Sequence, residues 1–145
     1  MNEQQIKELV KKALDMRNFS YTPYSHFNVG AALLTADDKI YTGCNIENAS
    51  YTPTNCAERT AFFKAVSEGA RTFKAIAIAG GPEGAKELDY CPPCGVCRQV
   101  MSEFCDDDFV IIVARSEDDY KVCTLPESLP DRFGPNDLIK GKFQK

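Results

Sequence analysis

The sequence predicts an α/β fold, one mixed sheet with helices on both faces, and three observations carry that prediction. An amphipathic helical period opens the chain, a hairpin signature follows it, and two further helical stretches alternate with short apolar runs. Ile6, Leu9, Val10, Ala13 and Leu14 recur at helical spacing, which predicts a helix over 3–17 with one apolar face. After the turn material Tyr21 to Ser25, the run Phe27 to Thr35 is apolar enough for a buried strand. Asp37-Asp38-Lys39 reads as a hairpin turn, and Ile40 to Ile46 as the returning strand. A second helix is expected over 55–69, with Thr54 or Asn55 as N-cap and Gly69 as its stop. Phe73 to Ala79 reads as a buried strand, and Gly80 to Gly84 opens a polar loop lasting to Pro93. A third helix is expected to start at Cys94 or Gly95, with Val96, Val100, Met101 and Phe104 on one side. Phe109 to Ala114 is a continuous apolar run of the interior-strand kind, and Tyr120 to Leu125 reads as a fifth strand. Leu129 to Pro135 reads as irregular.

With 145 residues, 43% hydrophobic and 26% charged, the chain has the composition of a single globular domain, 1–145, able to bury a core. The charge sum is 17 − 21 = −4, so a nucleic-acid partner is not expected, because phosphate binding relies on excess Lys and Arg. No stretch approaches the ~20 apolar residues of a membrane helix, so no membrane partner is expected. The polar start Met1 to Gln5 does not read as a signal peptide. A cytoplasmic protein is expected.

Two counts narrow the chemistry. His26 is the one histidine, which excludes a His pair or a His-rich metal site. The cysteines number seven: Cys44, Cys56, Cys91, Cys94, Cys97, Cys105 and Cys123. An odd count without an export signal favours reduced thiols over a disulfide framework. Cys94 and Cys97 form Cys-x-x-Cys at a predicted helix start, and Cys56 stands near the start of the preceding helix. Helix N-termini favour thiolate over thiol. Two such starts, if apposed, would make a soft tetrahedral site, for which zinc is the common occupant, with one position left open.

Glu58 lies two residues beyond Cys56, so its carboxylate leaves the same helix turn at a different angle. A metal-activated water needs such a base to take and deliver its proton. Each element alone has a plainer reading. The Cys-x-x-Cys is also a zinc knuckle or a redox pair, Cys56 a packed core residue, and Glu58 a first-turn glutamate favoured by the helix dipole. The combination is more specific than its parts. A ferredoxin reading of Cys91, Cys94 and Cys97 would require Cys then Pro at 101 and 102, where Met101 and Ser102 stand.

The segments Pro23 to Ala32, Gly43 to Tyr51, Asn55 to Ala61 and Pro93 to Gln99, with Leu129-Pro130 through Phe133, together resemble the cytidine deaminase family, specifically its small homotetrameric nucleoside enzymes. Cys91 and Pro92 depart from the family pattern, and the role of Cys91 stays open. The resemblance implies a three-layer α/β/α fold with a five-stranded mixed sheet. It also implies one Zn²⁺ per chain on Cys56, Cys94 and Cys97, with Glu58 as proton shuttle. Phe27 would stack on the base, Asn45 and Glu47 would hold the ribose hydroxyls, and the Ala57 backbone would meet the base edge. Tyr51 and Phe133 would reach into a neighbouring subunit's site in a homotetramer with shared pockets. The implied reaction is hydrolytic deamination of cytidine and 2′-deoxycytidine to the uridine nucleosides and ammonia, in pyrimidine salvage.

Residue by residue, plainer readings stand beside these. Phe27 is also a strand-core residue, and Asn45 and Glu47 are also turn formers. Arg59 has a physical argument of its own. Zn²⁺ with three thiolates carries 2 − 3 = −1, and a cation bonded to the thiolates would restore some acidifying power. Its alternative is a surface arginine pairing along the helix. His26 is expected to be a polar surface residue, and Cys44, Cys105 and Cys123 small buried apolar ones. Three competing functions remain: a polynucleotide deaminase, which would want a basic surface; a nucleoside-antibiotic deaminase sharing the zinc core; and a non-enzymatic zinc module, which leaves Glu58 unexplained.

Overall fold

The order of strands decides where the two thiol-bearing helix starts meet. The computed structural model describes residues 1–139; residues 140–145 of the expected domain lie outside the described residues. The chain runs α1 (Glu3–Met16), β1 (Phe27–Thr35), β2 (Ile40–Cys44), α2 (Ala57–Ser67), β3 (Phe73–Pro82), α3 (Gly95–Phe104), β4 (Val110–Ser116) and β5 (Asp119–Thr124). Two single-turn helices follow, α4 (Leu125–Ser128) and α5 (Pro135–Leu138), on either side of the stretch from Leu129 that the sequence reads as irregular; Leu125, expected to end the fifth strand, instead opens α4. The sheet order is β2-β1-β3-β4-β5. β3 and β4 are parallel, with Ile76 opposite Ile111, and the other neighbours are antiparallel. The expected mixed five-stranded sheet is therefore present. Among the described residues, no helix is long and apolar enough to cross a membrane.

Period-two alternation separates the two faces. Leu33, Ile76, Ile78 and Ile111 face α2 and α3, packing with Ala61, Phe62, Ala65 and Met101. Ala32, Leu34, Ala75, Ala77, Ala79 and Ile112 face α1, packing with Leu9, Val10 and Ala13. Alanines on the α1 side let that helix lie close to the sheet. At Gly30 the approach is so tight that a Cβ would sit 1.9 Å from the Ala13 carbonyl oxygen. On the other face Phe62 is central, its ring edge-on to Phe73 at 5.1 Å and near Phe104 and Phe109. Val96 departs from its expected face: it is exposed, while Met101 is buried and Val100 and Phe104 pack at the edge of the core. The core-facing stripe of α3 runs through Cys97, Met101 and Phe104, and Val96 falls to its outer side.

β2 matters to the site through Gly43. A Cβ there would lie 2.3 Å from the Ala57 carbonyl oxygen and 2.6 Å from the Ala61 amide nitrogen, both in the first turns of α2. The missing side chain lets the helix start rest on the strand. Gly43→Ala is expected to lower the thermal midpoint, with overpacking costing about 1–3 kcal/mol. A midpoint equal to wild type would show that α2 shifts freely at that contact.

Candidate active site and metal centre

Cys56 is the N-cap of α2 and Cys94 the N-cap of α3, both with extended backbone and neither with a side-chain capping bond. The oxygen-bearing candidates Thr54 and Asn55 do not cap α2. Asn55 instead pairs by backbone with Ile46 in both directions, and its side-chain amide donates to the Thr60 hydroxyl at 3.1 Å. That pairing starts the helix one residue later and lays the 45–47 segment beside it. At α3, Arg98 fixes the approach, donating from Nε to the Pro93 carbonyl and from Nη1 to the Ser128 carbonyl, each at 2.9 Å. A thiol at an N-cap that caps nothing is free to point elsewhere, and here the thiols point at one another.

The Sγ atoms of Cys56, Cys94 and Cys97 all lie within 4.8 Å of each other. Cys56 and Cys94 are 3.8 Å apart, and Cys94 and Cys97 are 3.5 Å apart. Tetrahedral Zn–S bonds of ~2.3 Å require sulfurs about 3.8 Å apart, so the three thiols fit zinc with a fourth position open. Cys91 is not in this cluster. It is half-buried, and burial pushes its thiol up to about 11. Cys44 and Cys105 are buried as expected, whereas Cys123 is only partly so, because it lies on the edge strand β5.

The electrostatics separate the thiols. A hydrogen bond from Cys97, helped by Arg59, draws the Cys56 thiol down to about 5 against the effect of burial. Cys97 moves the other way, because its proton serves the Cys56 thiolate. Arg59 Nη2 donates to Cys56 Sγ at 3.3 Å. Burial opposes the charge of Arg59, but Cys56 and Cys97 outweigh it and hold the guanidinium protonated. Its buried Nε has no hydrogen-bond partner among the described residues. The surface-arginine reading of Arg59 is thereby replaced by contact with the sulfur cluster.

Glu58 is 4% exposed, against the thiols rather than on the solvent side of its helix. Burial raises its carboxyl to about 7, and the charge of Cys56 adds to the rise. A first-turn glutamate serving only the helix dipole would stay in water and titrate normally.

Of the other predicted residues, Phe27 lines one cleft and Glu47 and Tyr51 another, while Asn45, Ala57 and Phe133 line neither. Phe27, 39% exposed, lines one of about 460 Å³ with Tyr90, Cys91 and Pro92. Asn45 braces Phe27: its Nδ2 donates to the Phe27 carbonyl at 2.8 Å, and its Oδ1 accepts from Val29 N–H at 2.9 Å. Glu47 lines the second cleft, of about 350 Å³, with Tyr24, Ser25, Tyr51 and Thr54. Tyr51 takes a left-handed φ of 61° that holds its ring 71% exposed, edge-on to Tyr24. Ala57 is buried at the start of α2. Phe133 is bound to α3 by its carbonyl, which accepts from Gln99 and Ser102, and it is 52% exposed. His26 is on the surface, 3.3 Å from Glu83, as expected. Sequence reasoning missed Ser25 and Arg98, which hold Glu47 and Pro93; a turn whose amides need an acceptor was the available signal for the first.

Comparison with known proteins agrees with this geometry. Residues 3–113 match the family model of the cytidine and deoxycytidylate deaminase zinc-binding region. The chain is 47% identical over 133 residues to a cytidine deaminase of Sporosarcina psychrophila, covering 92% of this chain and 94% of that one. It is 48% identical over 130 residues to a cytidine deaminase of Halalkalibacterium halodurans, covering 90% and 95%. The crystal structure of a cytidine deaminase from Burkholderia pseudomallei superposes with a TM-score of 0.79 at 42% identity, covering 92% of this chain and all of that one. With the sulfur triad and the buried glutamate inside the matched span, the chain belongs to the cytidine and deoxycytidylate deaminase family.

Proposed function

We propose that this protein hydrolyses cytidine, and 2′-deoxycytidine, to the corresponding uridine nucleoside and ammonia. The observation that carries the reading is the buried carboxyl of Glu58 beside three convergent thiols. When bound by Cys56, Cys94 and Cys97, zinc supplies the Lewis acidity that lets a water lose its proton near neutral pH. Glu58 accepts that proton and delivers it to N3 of the ring. As the oxygen of that water joins C4, Glu58 would carry the second proton to the amino group. The C4–N bond then breaks and ammonia leaves. Both protons of the water are thus accounted for, one on N3 and one on ammonia. Phe27 stacks on the base, Asn45 and Glu47 hold the ribose, the Ala57 backbone meets the base edge, and Arg59 offsets the thiolate charge.

The test is ammonia release from cytidine, deoxycytidine and a short single-stranded DNA side by side. Release from both nucleosides and none from DNA is expected. Release from DNA, or none from cytidine, overturns the reading. The net charge of −4 favours a nucleoside over a polynucleotide. Ligation by reduced thiols favours the cytoplasm, and the reaction belongs with salvage of free pyrimidine nucleosides.

We further propose a homotetramer in which Tyr51 and Phe133 complete a neighbour's pocket. Tyr51 and Phe133 are both exposed, as side chains that reach a neighbouring copy must be. Glu58→Gln and Phe133→Ala chains, each nearly inactive, are unfolded and reassembled together. Sites that combine an intact Glu58 with a neighbour's Phe133 then arise, and activity is expected to rise above both parents. If mixed oligomers form without that rise, Phe133 does not act between chains.

A further inference from the structure

We propose that Ser25 is the positioning residue of the ribose end of the site, orienting Glu47 so that one carboxylate lone pair is left for one ribose hydroxyl. The inference rests on the reading of Glu47 as a ribose ligand. The turn before β1 is closed by the His26 N–H donating to the Thr22 carbonyl at 3.0 Å, with His26 itself at a left-handed φ of 55°. This geometry aims two consecutive amides at one atom. The N–H groups of Tyr24 and Ser25 both donate to Glu47 Oε1, at 3.0 and 3.1 Å. The Ser25 hydroxyl donates to the other oxygen, Oε2.

The direction of that hydroxyl is set from behind. Ser25 Oγ accepts the N–H of Phe27 at 3.1 Å, so its single proton is left to point at Glu47. One oxygen thereby ties the base-stacking ring to the ribose-holding carboxylate. An ionised carboxylate offers about four acceptor positions. Three are taken by Tyr24, the Ser25 amide and the Ser25 hydroxyl. The remaining one accepts a donor from the cleft, and a nucleoside's ring hydroxyl is that donor. The same bonds, the Ser25 hydroxyl first, hold the Glu47 carboxyl below its usual range, so the group stays an acceptor.

The readout is the ratio of kcat/KM for cytidine to kcat/KM for 2′,3′-dideoxycytidine, which lacks both ring hydroxyls. A general loss of structure lowers both numbers and leaves the ratio alone. Ser25→Ala is expected to lower the ratio about tenfold, the scale of one hydrogen bond to a charged group. Ser25→Thr, which keeps the hydroxyl, is expected to restore it. The double variant Ser25→Ala/Glu47→Gln is expected to fall no lower than Glu47→Gln alone. Should the alanine chain fail to accumulate, Ser25→Cys, with its weak thiol donor, serves the same test. An unchanged ratio in the Ser25 variants while Glu47→Gln lowers it overturns the role of Ser25 and leaves that of Glu47 standing. An unchanged ratio in Glu47→Gln overturns the ribose reading itself, and this inference with it.

Discussion

Glu58→Gln is expected to keep the fold and the metal while losing turnover by about 10²–10⁴-fold or more, the range for a general acid–base group. The amide has nearly the shape of the carboxylic acid, so the buried slot beside the thiols stays filled. It carries no transferable proton, and two successive proton deliveries fail together. Burial that raises the wild-type carboxyl to about 7 is a cost the fold bears, and the neutral glutamine relieves it. The variant should therefore be no less thermally stable than wild type. Zinc content and kcat measured on one preparation decide the matter; turnover within about tenfold of wild type would fall short of that range and remove Glu58 from the role.

Cys94→Ser is expected to abolish stoichiometric zinc, whereas Cys91→Ser is expected to retain it. The three Sγ atoms already stand at tetrahedral sulfur spacing, and Cys94 is close to both others. A serine hydroxyl is shorter, harder and protonated at neutral pH, so it offers zinc little. Affinity should fall by more than the ~10–100-fold seen when only a supporting residue is lost. Cys91 stands outside the triad, its thiol held protonated by burial. Metal analysis of both variants after dialysis separates the cases. Loss of zinc in Cys91→Ser would mean a different ligand set or a closed site of four thiols.

The fold was legible because apolar pattern and burial agree: the α1 stripe packs on one face of the sheet, and the apolar runs of β1, β3 and β4 are buried on both. The start of α2 was less legible. Capping preferences pointed to Thr54 or Asn55, but the ladder between Asn55 and Ile46 claims that backbone, and the cap falls on a thiol. Val96 fits a helical stripe in sequence, yet the buried stripe is centred on Cys97 and Met101 and leaves it exposed. The chemistry of Cys56, Glu58, Cys94 and Cys97 was readable because spacing to a helix start is local. Ser25 was not, since its partner Glu47 is distant in sequence and the contact depends on a left-handed His26.

In chain order the two helices that carry the sulfur triad flank β3, which lies between β1 and β4 in the sheet. This makes the centre a late product of synthesis. Cys56 leaves the ribosome 41 residues ahead of Cys97 (97 − 56), a lead of roughly 2–8 s at ordinary elongation rates. Over that interval the first thiol lacks both of its triad partners, which arrive only with α3. A nascent chain is thus exposed to stray oxidants at Cys56 before it has a site to defend it.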